Sequence, residues 1–373
     1  MELNNKKVLI VSTTDDMIGN FMIPHIIQMQ KMGAIVHCAC NRRSEHFENI
    51  ANATGAIMHD IYLTRNPFNP KLIKGYNQLK KLAKEERFDL IDCLQPVGGF
   101  MGRMIAKKYK MPCLYTAHGF HFYKGAPLKN KLIYKTIEKY CSKFTTVLVT
   151  MNEEDYQASK KFKAKKVFKI NGIGVDFSKY KPDENFDRVA FRKTLGLTED
   201  DFVVASVGEL NKNKNTLRLI DAVANSKNKH IKYLICGKGP LEKEYIKRIE
   251  KLNLSSRVKF LGYRKDIPNI LNSIDCYLMP SYREGLSKAM MEAMAYSLPV
   301  VGSKIRGNVD LIGDNEGGIL VSPTDTNAFT KAIDELSTNP ELCKAYGERN
   351  KNYIQNFSLE TVLSQMEKIY REI

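Results

Sequence analysis

The chain has 373 residues, a length that corresponds to two domains or three at the usual domain size. Its composition, 43% hydrophobic and 27% charged, excludes a disordered chain, a collagen-like repeat and a coiled coil. No apolar run approaches the length of about 18 residues that a membrane-spanning helix needs. The apolar stretch near the N-terminus is too short for a signal peptide. We therefore expect a soluble, cytoplasmic protein.

The positive charge is concentrated in the first half of the sequence. The net charge is +17, from 58 Lys and Arg against 41 Asp and Glu. Residues 1–175 hold 28 basic and 14 acidic residues, a net +14, and the remainder carries only +3. Basic runs lie at 71–84, 129–143 and 159–166. Such an asymmetry favours nucleic acid, an anionic membrane surface or a phosphorylated substrate as partner, with general solubility as the alternative.

Short β-branched runs alternate with amphipathic stretches along the first half of the chain. The amphipathic stretch 21–33 is typical of these, and it ends in a glycine at the expected helix C-terminus. Near-continuous apolar strands separated by helices indicate a parallel sheet that is covered on both faces. The strands are predicted at 6–13, 34–40, 57–63, 88–95, 112–118, 144–151 and 166–172.

The alternation stops in the polar stretch 173–200, which we interpret as a linker, and then resumes. A last helix is predicted over 358–373. The fold class is therefore α/β, with two doubly wound Rossmann-like domains that face each other across a cleft. The first covers 1–175, with helix 358–373 packing back on it, and the second covers 176–357. The strands of the second are predicted at 202–210, 230–237, 257–263, 274–281, 298–303 and 318–323.

Ligands in this fold class bind at the carboxyl ends of the strands. Two carboxylates follow one predicted strand, Glu284 at its end and Glu292 two turns into the next helix. Carboxylates suit the hydroxyl groups of sugars and riboses because they only accept hydrogen bonds. Gly285 lets the backbone pass close to a ligand, and the helix that follows directs its first N–H groups outward. The expected site segments are 13–20, 116–121, 208–215, 237–240, 263–265 and 280–287.

The arrangement Glu-x7-Glu, followed by EAMA and then PVV, resembles retaining glycosyltransferase family 4, which has the GT-B fold. The resemblance covers essentially the whole chain. The segment YTAHGFHFYKGAPLKN is similar to the branch of that family that makes bacterial capsular polysaccharides and exopolysaccharides, the EpsD-like or CapM-like enzymes.

The resemblance assigns a role to each motif by position. Glu292 would hold the nucleotide ribose, and Glu284 would contact the hydroxyls of the donor sugar. His118 would reach toward the anomeric region of that sugar, and Lys214 would neutralise the diphosphate. Arg264 would bracket the base. The remaining donor-binding positions would act mainly through the backbone; they are Gly208, Gly237, Gly239, Gly285, Leu286 and Ser287.

Two positions depart from the family pattern. Glu209 stands where the family commonly has an arginine five residues before the lysine. Lys212, Lys288 or Arg283 would have to replace that cation, because developing negative charge on a diphosphate needs fixed positive partners. Gly19 fits a loop near the acceptor or the diphosphate, although the family often has two adjacent glycines there.

Structural explanations remain open for three of these residues. His118 could simply be a histidine with satisfied hydrogen bonds at a strand end, and Lys214 could be a solvated surface lysine. Glu292 could solvate a helix face, although Met290, Met291 and other apolar neighbours place it next to the buried side.

Metal ligands are not evident in the sequence. It has no DxD triplet, and its eight cysteines form neither a CxxC pair nor a Cys/His metal spacing. We expect reduced, buried cysteines and no metal or other cofactor, with lysines and helix N-termini neutralising the leaving group. The resemblance further implies transfer with retention of configuration.

The predicted function is transfer of a sugar from a nucleotide sugar, UDP-linked HexNAc or hexose, to a glycan or a polyprenyl-diphosphate-linked acceptor in capsule or exopolysaccharide synthesis. The enzyme would work as a peripheral protein on the inner face of the cell membrane. Two alternatives are an epimerase-like enzyme of the same fold and a basic nucleic-acid-binding protein, although no nucleic-acid-binding motif occurs. A dinucleotide oxidoreductase is disfavoured because no GxGxxG follows the first strand.

Overall fold

The structure is a computed structural model that describes residues 2–180, 185–313 and 315–373. The chain forms two compact units. Unit one consists of the chain up to Gly174 together with Glu360–Ile373, and unit two consists of Val175–Leu359. Each unit contains one parallel β-sheet with helices on both sides.

Unit one contains a seven-stranded sheet in which β1 and β4 are central. The strand order is β3-β2-β1-β4-β5-β6-β7, and every neighbouring pair is parallel. The central strands are buried on both faces, which explains their continuous apolar sequences. The strands are β1 Lys7–Thr14, β2 Ile35–Asn41, β3 Ile57–Asp60, β4 Leu90–Leu94, β5 Cys113–Ala117, β6 Val147–Thr150 and β7 Lys166–Lys169.

Eight helices of the described residues belong mainly to this unit. The helix predicted over 21–33 is α2, and Gly33 follows it with a φ of 90°, a conformation that favours glycine. The helices are α1 Asp15–Phe21, α2 Ile23–Lys31, α3 His46–Thr54, α4 Leu72–Glu86, α5 Pro96–Tyr109, α6 Leu128–Cys141, α7 Glu153–Ser159 and the last helix of the chain, α16 Leu359–Arg371.

Unit two contains a six-stranded parallel sheet in the order β10-β9-β8-β11-β12-β13. One apolar cluster packs on each face of this sheet. The strands are β8 Phe202–Val207, β9 Ile231–Cys236, β10 Val258–Gly262, β11 Cys276–Met279, β12 Val300–Ser303 and β13 Gly318–Val321. The helices are α8 Arg188–Thr194, α9 Thr216–Asn225, α10 Glu242–Lys251, α11 Ile267–Ser273, α12 Lys288–Ala295, α13 Asn308–Ile312, α14 Thr326–Thr338 and α15 Pro340–Tyr353.

The thirteen strands predicted from the sequence are all present, but the predicted linker is wrong. In place of a free connection over 173–200, residues 175–180 and 185–200 belong to unit two. Val175 and Phe177 are buried there, and Phe191 packs from α8 against the same apolar cluster. Residues 181–184 of the predicted linker lie outside the described residues. Apolar side chains spaced within a polar stretch therefore attach it to the core.

The last helix, α16, packs in unit one through an apolar face and one buried hydrogen bond. Val362, Met366 and Ile369 are buried. The Tyr370 hydroxyl donates to Oδ2 of Asp92 on β4 at 2.9 Å, and both side chains are fully buried. The helix thus supplies a hydroxyl donor to a carboxyl group in the middle of the sheet.

Asp92 makes stability depend on pH. Burial raises the pKa of this carboxyl group to about 7, although the hydrogen bond from Tyr370 partly opposes the shift. The folded protein therefore keeps a proton that the unfolded chain loses near 3.8, the ordinary pKa of an aspartate. Because the folded state binds the extra proton, this group stabilises the fold at low pH, and its contribution is lost as the pH rises to about 7.

We expect Asp92→Asn, which retains an acceptor for Tyr370, to remove this pH dependence. Relative to the variant, the wild-type free energy of unfolding should fall by roughly 1.4 kcal/mol per pH unit between about pH 4 and pH 7. Denaturant unfolding of both proteins across that range measures the difference. Parallel curves for the two proteins would show that Asp92 titrates normally.

Candidate functional site

The carboxyl edge of the second sheet is built by loops that touch backbone to backbone. A Cβ on Gly237 would lie 1.8 Å from the carbonyl oxygen of Gly208, and one on Gly239 would lie 2.4 Å from that of Leu210. The Leu210 amide donates to the Lys238 carbonyl at 3.0 Å. No side chain larger than hydrogen fits at either glycine, so these two predicted positions hold the loops after β8 and β9 together.

The loop after β8 continues to Lys214 and fixes its position. The Lys214 amide donates to Oδ1 of Asn211 at 3.0 Å. The next residue, Asn215, is left-handed with a φ of 53°, and its side-chain amide donates to the carbonyls of Pro280 (3.0 Å) and Pro323 (2.9 Å). Asn215 therefore connects this loop to the ends of β11 and β13, and it directs the preceding lysine toward the loop after β11.

Lys214 and Glu284, which are 70 residues apart in sequence, form an ion pair. The distance from Nζ to Oε1 is 2.8 Å, and the two side chains are 25% and 14% exposed. Partial burial strengthens such a pair relative to one in bulk water. An ammonium group carries three donors, so Lys214 can bind a further anion while it keeps the bond to Glu284.

The segment 284–287 lies tightly against the loop that follows β12. A Cβ on Gly307 would lie 1.8 Å from the carbonyl oxygen of Gly285, and Gly307 has a φ of 79°. Leu286 packs against the apolar cluster of the unit. Ser287 begins α12 as its N-cap, with Oγ accepting from the Met290 amide at 3.4 Å. The predicted positions after Glu284 are thus anchored on both sides.

Glu292 is buried on α12, with 8% of its surface exposed. Its Oε1 lies 3.4 Å from Nζ of Lys288, and its carboxylate is hydrogen-bonded to the Tyr180 side chain. Burial, followed by this bond, raises the pKa of the Tyr180 hydroxyl. The Glu292 carboxylate is therefore a largely buried hydrogen-bond acceptor that its neighbours fix in position. It does not merely solvate a helix face.

Arg306 is a cation at this edge that the sequence analysis missed. Its side chain is 7% exposed, and Nε donates to the backbone carbonyl of Glu284 at 3.3 Å. The strand pattern could have indicated it, because Arg306 lies three residues after the end of β12 and therefore at the same edge as the other strand ends. The segment after β12 was not among the predicted site segments.

Two other predicted positions are held by local contacts. Glu209 is exposed and accepts a hydrogen bond from Asn211 Nδ2 at 2.9 Å. Arg264, after β10, forms an ion pair with Asp266, with Nε donating to Oδ1 at 2.7 Å. Of the cations suggested as substitutes for the missing arginine, Lys288 forms the contact with Glu292 described above, and Lys212 is exposed.

In unit one, His118 follows β5 at the carboxyl edge of the first sheet. Its Nε2 atom is buried and has no hydrogen-bond partner among the described residues. Burial, together with the nearby His25, lowers the pKa of His118 to about 4. The ring is therefore neutral near pH 7 and can offer a nitrogen to a ligand.

Gly19 does not lie in a loop as predicted, because the structure places it inside α1. A Cβ there would lie 2.6 Å from Nδ1 of His46, the first residue of α3. The glycine thus allows two helices to pack closely, and close helix packing explains a small residue at this position.

Three findings concern metals, thiols and membrane spans. Within the described ranges, no group of three or more His, Cys, Asp or Glu side chains could hold a metal ion. All eight cysteines are free; seven are buried and Cys343 is half-buried. Among the helices of the described residues, none combines the length and the hydrophobicity that crossing a membrane requires.

Comparisons with known proteins identify the family. Residues 187–353 match the family model described as glycosyl transferases group 1, and residues 7–152 match the glycosyl transferase 4-like model. The EpsD protein of Bacillus subtilis (strain 168) is 35% identical over 378 residues, which cover 98% of this chain and 96% of that protein. The chain belongs to the group 1 glycosyltransferase family.

One further relative supports this assignment, and a solved structure supports the fold. The UDP-Gal:alpha-D-GlcNAc-diphosphoundecaprenol alpha-1,3-galactosyltransferase of Escherichia coli is 31% identical over 83% of this chain and 81% of its own. The structure of Anabaena Alr3699/HepE in complex with UDP and glucose superposes with a TM-score of 0.81 at 19% identity, covering 99% of this chain and 100% of that one. The expected family and GT-B fold are confirmed, and the protein is a glycosyltransferase.

Proposed function

We propose that this glycosyltransferase moves a hexose or HexNAc from a UDP-sugar to a glycan or polyprenyl-diphosphate-linked acceptor, with retention of configuration, in capsule or exopolysaccharide synthesis. The observation that carries the proposal is the Lys214–Glu284 ion pair of 2.8 Å, with the buried Glu292 on the helix that follows. A cation beside carboxylates matches a ligand that carries both phosphates and hydroxyl groups.

The donor would lie along the carboxyl edge of the second sheet. Glu292 would accept hydrogen bonds from the ribose hydroxyls and Glu284 from those of the sugar. Gly208, Gly237 and Gly239 would border the nucleotide, and Arg264 would lie near the base. The amides of Gly285, Leu286 and Ser287 would contact the sugar or the phosphates.

The departing diphosphate needs cations because negative charge grows on it in the transition state. Lys214 is the first of these. Glu209 stands where the family commonly has an arginine, and Arg306 is a better substitute for that arginine than the lysines. It is buried, and its side chain already donates to the backbone carbonyl of Glu284. A buried guanidinium has a fixed direction, whereas an exposed lysine such as Lys212 loses conformational freedom when it binds.

His118 would contact the donor sugar as a neutral imidazole. A two-step displacement would require a carboxylate nucleophile beneath the anomeric carbon, and no residue of the sequence clearly fits that role. We therefore propose a front-face route, in which the bond to the diphosphate breaks while the acceptor hydroxyl attacks from the same side. The departing phosphate oxygen takes up the proton of that hydroxyl.

The relatives support the class of donor and acceptor. The name of the Escherichia coli relative gives UDP-Gal as its donor and a diphosphoundecaprenol-linked GlcNAc as its acceptor. The HepE structure was obtained with UDP and glucose. Membership of a glycosyltransferase family favours transfer over the epimerase-like and nucleic-acid-binding alternatives that the sequence left open.

The two glutamates should have separable effects. Glu292→Ala should weaken UDP binding by roughly 1.5–3 kcal/mol, about 10- to 150-fold, because a charge-assisted bond to a ribose hydroxyl is lost. Glu284→Ala should mainly lower kcat, because its partner is the reacting sugar. Calorimetry with UDP and initial rates with the UDP-sugar measure the two effects. Glu335→Ala, an exposed glutamate on α14, is the control; both site variants behaving like it would refute the assignment.

Transfer should not require a divalent metal. We expect activity to survive EDTA, because cationic side chains would take the place of a metal at the diphosphate. The assay compares rates in EDTA with rates after addition of manganese or magnesium. Complete loss in EDTA, with recovery on adding either metal, would contradict this part of the proposal.

Unit one, which carries most of the positive charge, should bind anionic membranes. Lys129, Lys131, Lys135 and Lys139 lie on α6, and each lysine near an anionic surface contributes about 1 kcal/mol. The amount of protein that sediments with vesicles should therefore depend on anionic lipid and should decline steeply as the salt concentration rises. Changing these four residues to Glu should abolish binding.

The matched control makes the same change of charge in unit two, at Lys227, Lys243, Lys247 and Lys251, and should bind like the wild type. Two outcomes would argue for an acceptor that is not in a membrane. One is equal recovery of the protein with neutral and anionic vesicles, and the other is no binding of the protein to either kind of vesicle at low salt.

A further inference from the structure

Unit one contains a large apolar cavity that no step of the proposed donor chemistry uses. Its volume is about 640 Å³, within the range typical of small-molecule sites. It lies between the segment 67–70 and three helices, α4, α5 and α6. Most of its lining is apolar and includes Ile73, Phe100, Met104, Ile133 and Ile137.

The lining contains the carboxyl group of Glu138, whose negative charge is balanced by a neighbouring arginine. Its Oε2 atom is 2.7 Å from NH1 of the buried Arg103, and its Oε1 accepts from the Tyr115 hydroxyl at 3.2 Å. Arg103 in turn lies over the Tyr115 ring, 3.9 Å from its centroid. The cavity therefore offers an apolar occupant no uncompensated charge.

A second, smaller cavity of about 190 Å³ adjoins the first at the carboxyl edge of the sheet. Four residues line both cavities, namely Pro67, Pro96, Val97 and Tyr134. The smaller cavity also has polar lining residues: Thr13 at the end of β1, Gln95 after β4, His121 and the exposed Arg65. The smaller cavity thus places the Arg65 cation at the sheet edge, and the larger, mostly apolar cavity adjoins it.

The surroundings of the large cavity are unusual for a surface that faces only water. Phe68 (69% exposed), Ile73 (68%), Leu128 (77%) and Leu132 (71%) present large apolar side chains to solvent. Exposed apolar groups concentrated in one region indicate a binding surface. Exposed lysines interleave with them, including Lys71, Lys74 and Lys129, so the complementary ligand is both apolar and anionic.

We propose that these two cavities form one binding site for a prenyl diphosphate. The diphosphate lies in the small cavity beside Arg65, and the prenyl chain enters the large one. A large, mostly apolar cavity that adjoins a small one beside a cation matches an apolar chain with one charged head. The proposal rests on the proposed function in one respect, because it takes the acceptor to be linked to a polyprenyl diphosphate.

The test uses a direct binding signal. The chain contains no tryptophan, so Phe100→Trp places a single tryptophan in the lining, whose emission can be excited apart from that of the tyrosines. Tyr76→Trp, also in the lining, is a second reporter if the first does not fold. The probe is farnesyl diphosphate, a short prenyl diphosphate that can be titrated in solution. We expect a saturable change in emission that undecaprenyl diphosphate suppresses by competition.

Two neighbouring residues on α6 provide a matched pair of variants. Ile133 lines the large cavity, whereas Leu132 is exposed and does not. In the reporter background, Ile133→Glu should weaken farnesyl diphosphate binding at least tenfold, and Leu132→Glu should change it less than twofold. Arg65→Ala should weaken binding of farnesyl diphosphate but leave binding of uncharged farnesol unchanged.

Several outcomes would overturn the proposal. They are no emission change in either folded reporter, equal effects of the two glutamate variants, and equal binding of a short-chain phosphatidylglycerol, which would indicate a bilayer lipid instead. A change in emission that depends only on protein concentration would indicate that a second copy of the chain occupies the cavity. No nucleotide sugar enters this assay, so loss of donor binding in the Glu292 variant leaves its result unchanged, and the two proposals can fail separately.

Discussion

The ion pair between Lys214 and Glu284 is the interaction on which the proposed site depends. A lysine and a glutamate 70 residues apart meet at 2.8 Å only because the loops that carry them are held at one sheet edge. The close approach of Gly237 to Gly208 and the two hydrogen bonds of Asn215 provide that support. The chemistry of the edge is therefore a consequence of backbone packing.

Burial fixes the direction or the protonation state of several side chains at the two sheet edges. At the second sheet, Glu292 and Arg306 are both largely buried and held by neighbours, so each has a defined direction before any ligand arrives. At the first sheet, burial lowers the pKa of His118 to about 4, so this ring is neutral at physiological pH. Such preorganisation reduces the conformational freedom that is lost on binding.

The sequence could predict the sheets because their signal is local. Each buried parallel strand is a short apolar run, and the strand ends predict the loops that carry Lys214 and Glu284. Three features were not predicted because they depend on distant packing. Gly19, expected in a loop, lies in α1 against His46 of α3, and Arg306 lies in a loop that carries no motif. The apolar cavity is formed by segments from 67 to 138 that no pattern connects.

Hydrogen–deuterium exchange with and without UDP tests the central claim, that the nucleotide binds at the carboxyl edge of the second sheet. The account predicts slower exchange in the segments 208–215, 237–241 and 284–292, which carry Lys214, the two loop glycines and both glutamates. The helix α8 of the same unit should exchange at an unchanged rate, because its Arg192 bonds to Asp201 and Asp275, which precede β8 and β11 at the opposite edge of the sheet. Protection confined to unit one at saturating UDP would contradict the account.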